Sequence, residues 1–258
     1  MSEGRTSVTR HGPVARILFD RPQAYNALTW EMWRGLGEAC AQIAADPEIR
    51  VVTLRGAGGK AFVSGTDIAG FRSFTGGDDG VAYEAEMDGY LAAVEALPQP
   101  TVAIVDGWAV GGGLALSFAC DFRVAAEGAR FGSPLARTVG NCLSARGYAR
   151  LVQHAGIAMA KRMLLAAEMI PAAELDALGL LNALVPADAL DAAADALVER
   201  LLGNAPVTLR ASKEAMRRIA AAGQPDITDL IHQVYDSHDF RIGVAAFLGK
   251  QTPLWTGK

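Results

Sequence analysis

The chain has 258 residues, 51% of them apolar, with a formal net charge of −4, which suits one large domain or two small ones and, without a basic tract, argues against nucleic acid as a main partner. Cys40, Cys120 and Cys142 are scattered without CxxC spacing, so neither a disulfide framework nor a zinc site is indicated, no metal is expected, and a reducing, cytoplasmic setting is. The polar start MSEGRTSVTRHG does not read as a secretory signal, and no uninterrupted apolar run is long enough to span a bilayer, so no membrane partner is expected.

In chain order, residues 15–19 predict a strand and residues 30–44 an amphipathic helix, with Thr29 as N-cap and Glu31 in the first turn. Residues 51–54 form a short β-branched strand and residues 56–59 a turn. The glycine-rich FTGGDDG reads as a mobile loop around residues 76–80, and residues 81–97 as a helix stopped by Pro98 and Pro100. Strands are expected at residues 102–105 and 122–125, with a short one near Arg130 and Phe131. This alternation argues for an α/β domain. Beyond Ser144 the chain turns mainly helical, over residues 145–154, 158–167, 172–178, 187–202, 207–222, 226–238 and 240–248. No internal repeat stands out. The preferred division is an α/β core over residues 1–195 with a helical C-terminal extension over residues 196–258.

The segment PTVAIVDGWAVGGGLALSFACDFRVAAEGARFGSP, residues 100–134, carries the most chemistry. A buried strand and a turn at Asp106-Gly107 lead to Gly111, Gly112 and Gly113, which open a second apolar segment of helical character. Such a glycine run admits two readings. It serves close packing or a turn, or it lets a ligand reach free N–H groups at the positive end of a helix, the device that holds negative charge on a carbonyl oxygen. A dinucleotide fingerprint fits poorly, because the glycine spacing is wrong and Asp121 comes too early. No Gly-Lys-Ser/Thr follows, so a phosphate loop is absent.

Five segments in order, FDRPQAYNAL, KAFVSGTDIAGF, GWAVGGGLALSFACDFRVAAEGARFGSP, MIPAAELDALGLLNALVP and DFRIGVAAFLGKQTPLWTGK, together resemble the crotonase (enoyl-CoA hydratase/isomerase) superfamily over almost the whole chain. The resemblance implies a crotonase-like β-β-α superhelix, with C-terminal helices that build a homotrimer or a dimer of trimers. It implies an acyl-CoA thioester as substrate and no separate cofactor, coenzyme A entering as part of the substrate. The oxyanion hole then falls on the backbone N–H groups of Thr66, in SGTD, and Gly112, the middle glycine. Coenzyme A contacts fall on Ala24, Ser64, Thr66 and Ile68, with Lys250 either a phosphate contact or a solvated side chain.

Two positions depart from the family's hydratases. Their catalytic glutamates fall here on Ala115, in GGGLAL, and Leu135, in FGSPLA, and neither side chain transfers protons. Gly140-Asn141-Cys142 falls where aryl-CoA dehalogenases of the superfamily carry an aspartate. Cys142, close to a helix start capped by Ser144, is therefore a candidate nucleophile or acid–base group, or else a small core residue, and Asn141 a candidate for positioning water or a carbonyl. Arg137 and Arg146 are candidate anion contacts, Tyr148 a proton donor if it faces the pocket, and Asp67 structural. His154 lies near a helix end and reads as a C-terminal charge partner rather than a catalyst, and His11, His232 and His238 have no local partners that suggest chemistry. Three functions stay open: an enolate-stabilising hydratase or isomerase, hydrolysis or substitution through the Cys142 loop, and a catalytically silent acyl-CoA-binding subunit.

Overall fold

The computed structural model describes residues 4–222, 238–239, 242, 251 and 253–258. Its chain opens with an antiparallel hairpin, β1 (Arg5–His11) and β2 (Val14–Asp20), turned at Gly12. In helix α1 (Trp30–Ala45) Thr29 Oγ1 accepts the Met32 N–H at 3.2 Å, and Met32, Trp33, Leu36, Ala39, Cys40 and Ile43 are buried at the spacing of one helical face. There follow β3 (Val51–Gly56), β4 (Ala61–Val63) and α2 (Gly77–Glu95), then β5 (Thr101–Val105), β6 (Trp108–Val110) and α3 (Gly112–Ala119). Next come β7 (Phe122–Ala126), β8 (Arg130–Gly132) and α4 (Ala145–Leu164). After β9 (Ile170–Pro171), α5 (Ala172–Ala177) and β10 (Ala183–Val185), helices α6 (Leu190–Leu202) and α7 (Pro206–Ala222) complete these elements.

The strands form a six-stranded sheet, ordered β1-β2-β3-β5-β7-β10 and parallel from β2 onward, and a four-stranded sheet, ordered β4-β6-β8-β9. Three successive units, β3-β4-α2, β5-β6-α3 and β7-β8-α4, each place one strand in either sheet and then a helix, which is a β-β-α superhelix. One face of the large sheet, with Ile17, Leu54, Ala103 and Val105, joins α1 to α5 in the main core. The other, with Val51, Val102, Ile104 and Val124, lies under Leu190, Ala194, Leu197, Val198 and Leu201. Strands buried on both faces read as continuous apolar runs, as β5 does.

The expected division after residue 195 falls inside α6, which packs on the sheet along its whole length. Helix α7 is tied to the same body, since Lys213 Nζ meets Asp121 Oδ2 at 2.7 Å and the Gln99 carbonyl at 2.9 Å. The helices expected at 145–154 and 158–167 form one element broken at Gly156 (φ 76°). The loop expected at 76–80 is largely the first turn of α2, where the Asp79 carboxylate accepts the Gly76 N–H at 3.2 Å. Apart from residues 238 and 242, the helices expected at 226–238 and 240–248 lie outside the described residues, as do His232 and Lys250. Among the described residues no helix is long and apolar enough to cross a membrane.

The sheets meet the helices through glycines. A Cβ on Gly113 would lie 1.9 Å from the Val63 carbonyl oxygen. Gly113→Ala is therefore expected to lower the unfolding free energy by roughly 1–3 kcal/mol in urea titration. Gly128→Ala, with nothing within 4 Å, should change it by no more than about 0.5 kcal/mol. Equal midpoints for the two variants would contradict this close approach.

Candidate active site

The loop after β4 runs beside residue 28 in a single parallel bridge. Leu28 donates its N–H to the Gly65 carbonyl at 2.8 Å and accepts the Asp67 N–H at 2.8 Å. In that pattern the residue between the two bonds turns its own N–H away from the partner strand. The Thr66 N–H accordingly has no acceptor among the described residues. Its side chain is held from two sides, with Trp33 Nε1–H donating to Oγ1 at 3.2 Å and the Tyr83 hydroxyl at 3.0 Å. Asp67 is structural, as expected: it accepts the Ala69 N–H at 3.0 Å and pairs with Arg21 at 2.8 Å, and these contacts hold its carboxyl below the usual range.

Helix α3 begins against this loop. Gly111 holds φ 53° and ψ −114°, a conformation open to glycine, and donates to the Gly132 carbonyl at 2.9 Å. Gly112 is the first helical residue, so its N–H has no intrahelical acceptor, and none is found among the described residues. A Cβ on Gly112 would lie 3.4 Å from Thr66 Oγ1 and 3.1 Å from the Trp33 ring. The two free N–H groups thus belong to neighbouring residues on one wall.

That wall opens on a cavity of about 260 Å³, which Ala115 and Leu135 also line. The carboxylates lining it come from α2, as Glu84 and, one turn on, Asp88. Glu84 Oε2 accepts the Ser144 N–H at 2.8 Å, at the start of α4. Burial pushes the Glu84 carboxyl up, the Ser144 N–H opposes this, and the Asp88 charge adds to the rise, leaving it above its ordinary value. Arg150 lines the cavity too, although only 5% of it is exposed. Its Nε donates to Glu95 at 2.5 Å, while Nη1 and Nη2 have no partner among the described residues. Ser133 Oγ and Asn141 Oδ1, both on lining residues, are likewise buried and unpartnered there.

The structure brings Ser64, Thr66, Ile68, Gly112 and Asn141 together on the cavity. Ala24 lies behind them, its carbonyl accepting from Ser64 Oγ at 3.4 Å. Cys142 is not brought to the cavity. Asn141 and Leu143 line it, whereas Cys142 between them is exposed outward. Arg137 and Tyr148 are also exposed and off the wall. Arg146 finds its anion in Glu95, at 2.7 Å. His154 stacks on the Phe118 ring at 5.4 Å. Sequence reasoning missed Glu84, Asp88, Tyr83 and Arg150. The signal was there in YEAEMD, where Tyr83, Glu84 and Asp88 share a helical face, but acids on a helix read first as a solvated surface. No cluster of three or more His, Cys, Asp or Glu suited to a metal occurs among the described residues.

The enoyl-CoA hydratase/isomerase family profile matches residues 9–258. A short-chain-enoyl-CoA hydratase of Clostridium acetobutylicum is 31% identical over 254 residues, covering 94% of each chain. A putative enoyl-CoA hydratase of Thermus thermophilus is 34% identical, over 94% of this chain and 97% of its own. Among solved structures, an enoyl-CoA hydratase/carnithine racemase from Magnetospirillum magneticum superposes with a TM-score of 0.91 at 36% identity, over 98% of this chain and 96% of that one.

The Glu95 pair sets a pH dependence. Burial raises its carboxyl, but the hydrogen bonds and charges of Arg150 and Arg146 outweigh burial and leave it lowered. A lowered carboxyl stabilises the fold above its unfolded value, about 4.3, and that contribution disappears as pH falls through the folded value. Glu95→Gln strips the buried Arg150 of its counter-charge and is expected to cost roughly 3 kcal/mol at neutral pH. The difference should shrink below about pH 4.5. Denaturation measured at several pH values checks this, and a gap that stays constant on acidification would contradict it.

Proposed function

This chain belongs to the enoyl-CoA hydratase/isomerase family, and from that premise we propose that it binds an acyl-CoA thioester with the thioester oxygen between the N–H groups of Thr66 and Gly112. There it stabilises the enolate that forms when the α-carbon loses a proton or when water adds to the β-carbon of an enoyl thioester. The observation that carries this reading is the pair of unaccepted backbone donors on neighbouring residues at one cavity wall. Such donors sit where charge develops and need no reorganisation when it does. Ser64, Ile68 and Ala24 flank the path of the coenzyme. The reaction is water addition to, or migration of, the double bond of an enoyl thioester, with acid and base drawn from groups other than Ala115 and Leu135. A homotrimer or a dimer of trimers is part of the same reading. The apolar Ala115 and Leu135 favour one second reading, an acyl-CoA binder without turnover.

Deuterium uptake at the α-carbon of butyryl-CoA in heavy water separates these readings, because it reports enolate formation whatever the final reaction. Gly112→Pro removes one donor at the first helical position, which tolerates proline. It is expected to slow exchange by about 10²–10³-fold with the circular dichroism spectrum retained. Undiminished exchange in that variant would refute the assignment of the donor, and bound thioester with no exchange in the parent protein would favour the silent binder.

A further inference from the structure

We propose that Glu84 is the proton-transfer group of this cavity, a catalytic carboxylate supplied by α2 in place of one on α3 or after β8. The inference rests on the enolate reading above and names its base. Tyr83 bonds the Thr66 side chain, and Glu84 bonds the start of α4, so consecutive residues anchor this turn of α2 to both sides of the cavity. Glu84 lines the cavity, and its hydrogen bond to a described residue is made through Oε2, so Oε1 is the oxygen assigned to the substrate. Asp88, four residues on and on the same helical face, opposes ionisation of Glu84 and makes it a stronger base.

Two further polar residues of the cavity lining carry buried atoms without a partner among the described residues. Ser133 is 2% exposed and its hydroxyl has no partner among the described residues, and the Arg150 guanidinium is in the same position through both Nη atoms. A polar group of a bound substrate satisfies such atoms, as an alkyl chain does not.

The step balances within the site. Glu84 Oε1 takes a proton from the α-carbon. The electron pair of the broken C–H bond forms the enolate double bond, and the carbonyl π pair moves onto the thioester oxygen, where the Thr66 and Gly112 N–H groups meet it. The neutral carboxyl trades its proton for a solvent deuteron and delivers the deuteron to the same carbon, which is the exchange that is read, or it delivers a proton to the γ-carbon of an enoyl chain, which moves the double bond. Ala115 and Leu135 serve as apolar walls for the acyl chain.

A purely structural Glu84 would only cap α4, and Glu84→Gln distinguishes the roles, since the amide oxygen still accepts the Ser144 N–H but cannot take a proton. Butyryl-CoA exchange in heavy water is measured alongside butyryl-CoA affinity, with Asp78→Asn, an exposed carboxylate in the first turn of α2, as reference. The expected result is a drop of about 10²–10⁴-fold in exchange with affinity within about threefold of the parent. Exchange within about threefold of the parent would overturn the proposal while leaving the enolate reading intact. A parent protein that binds the thioester and exchanges nothing would overturn both. Should Glu84→Gln fail to fold, Glu84→Asp withdraws the carboxylate by one methylene, and exchange should fall at least about tenfold. Parent-like exchange in Glu84→Asp would overturn the proposal equally.

Discussion

The seating of α3 on β4 is the constraint from which the site follows. Gly113 comes so near the Val63 carbonyl that no side chain fits between them, and Gly111 turns the chain through a backbone conformation that only glycine adopts cheaply. Together they deliver Gly112, with its unused N–H, against Thr66. The loop carrying Thr66 is fixed in turn by the bridge to Leu28 and by the hydroxyl contacts of Trp33 and Tyr83. Each donor is therefore placed by rigid elements on two sides, which an oxyanion site needs in order to work without reorganisation.

Electrostatics around the cavity follow a second logic. α2 faces it with Glu84 and Asp88 and, further along, supplies Glu95 to Arg146 and Arg150 on α4. The helix pair thus keeps Glu84 and Asp88 on the cavity and neutralises Glu95 with Arg146 and Arg150. The start of α4 steadies one Glu84 oxygen, as free N–H groups at a helix start do for an anion. One helix therefore supplies both the structural counter-charge and the carboxylates of the cavity.

Much of this was legible from the residues. Residues 102–105 read as a buried strand because β5 is covered on both faces, and the glycine run, the SGTD loop and FGSP pointed to the wall where Thr66, Gly112, Ala115 and Leu135 in fact meet. The short strands β4, β6, β9 and β10 were harder, since two or three residues carry no periodicity. Cys142 attracted attention through its place before Ser144, but the loop turns its neighbours inward and leaves the thiol exposed. Glu84 stayed hidden for the opposite reason: its role depends on which face of α2 meets α4, and tertiary packing decides that.

The most direct measurement is a crystal structure with a bound, non-reacting acyl-CoA. The account predicts the thioester oxygen within about 2.7–3.1 Å of both the Thr66 and the Gly112 nitrogen. A thioester oxygen hydrogen-bonded to neither, with the acyl chain outside the cavity, would contradict it.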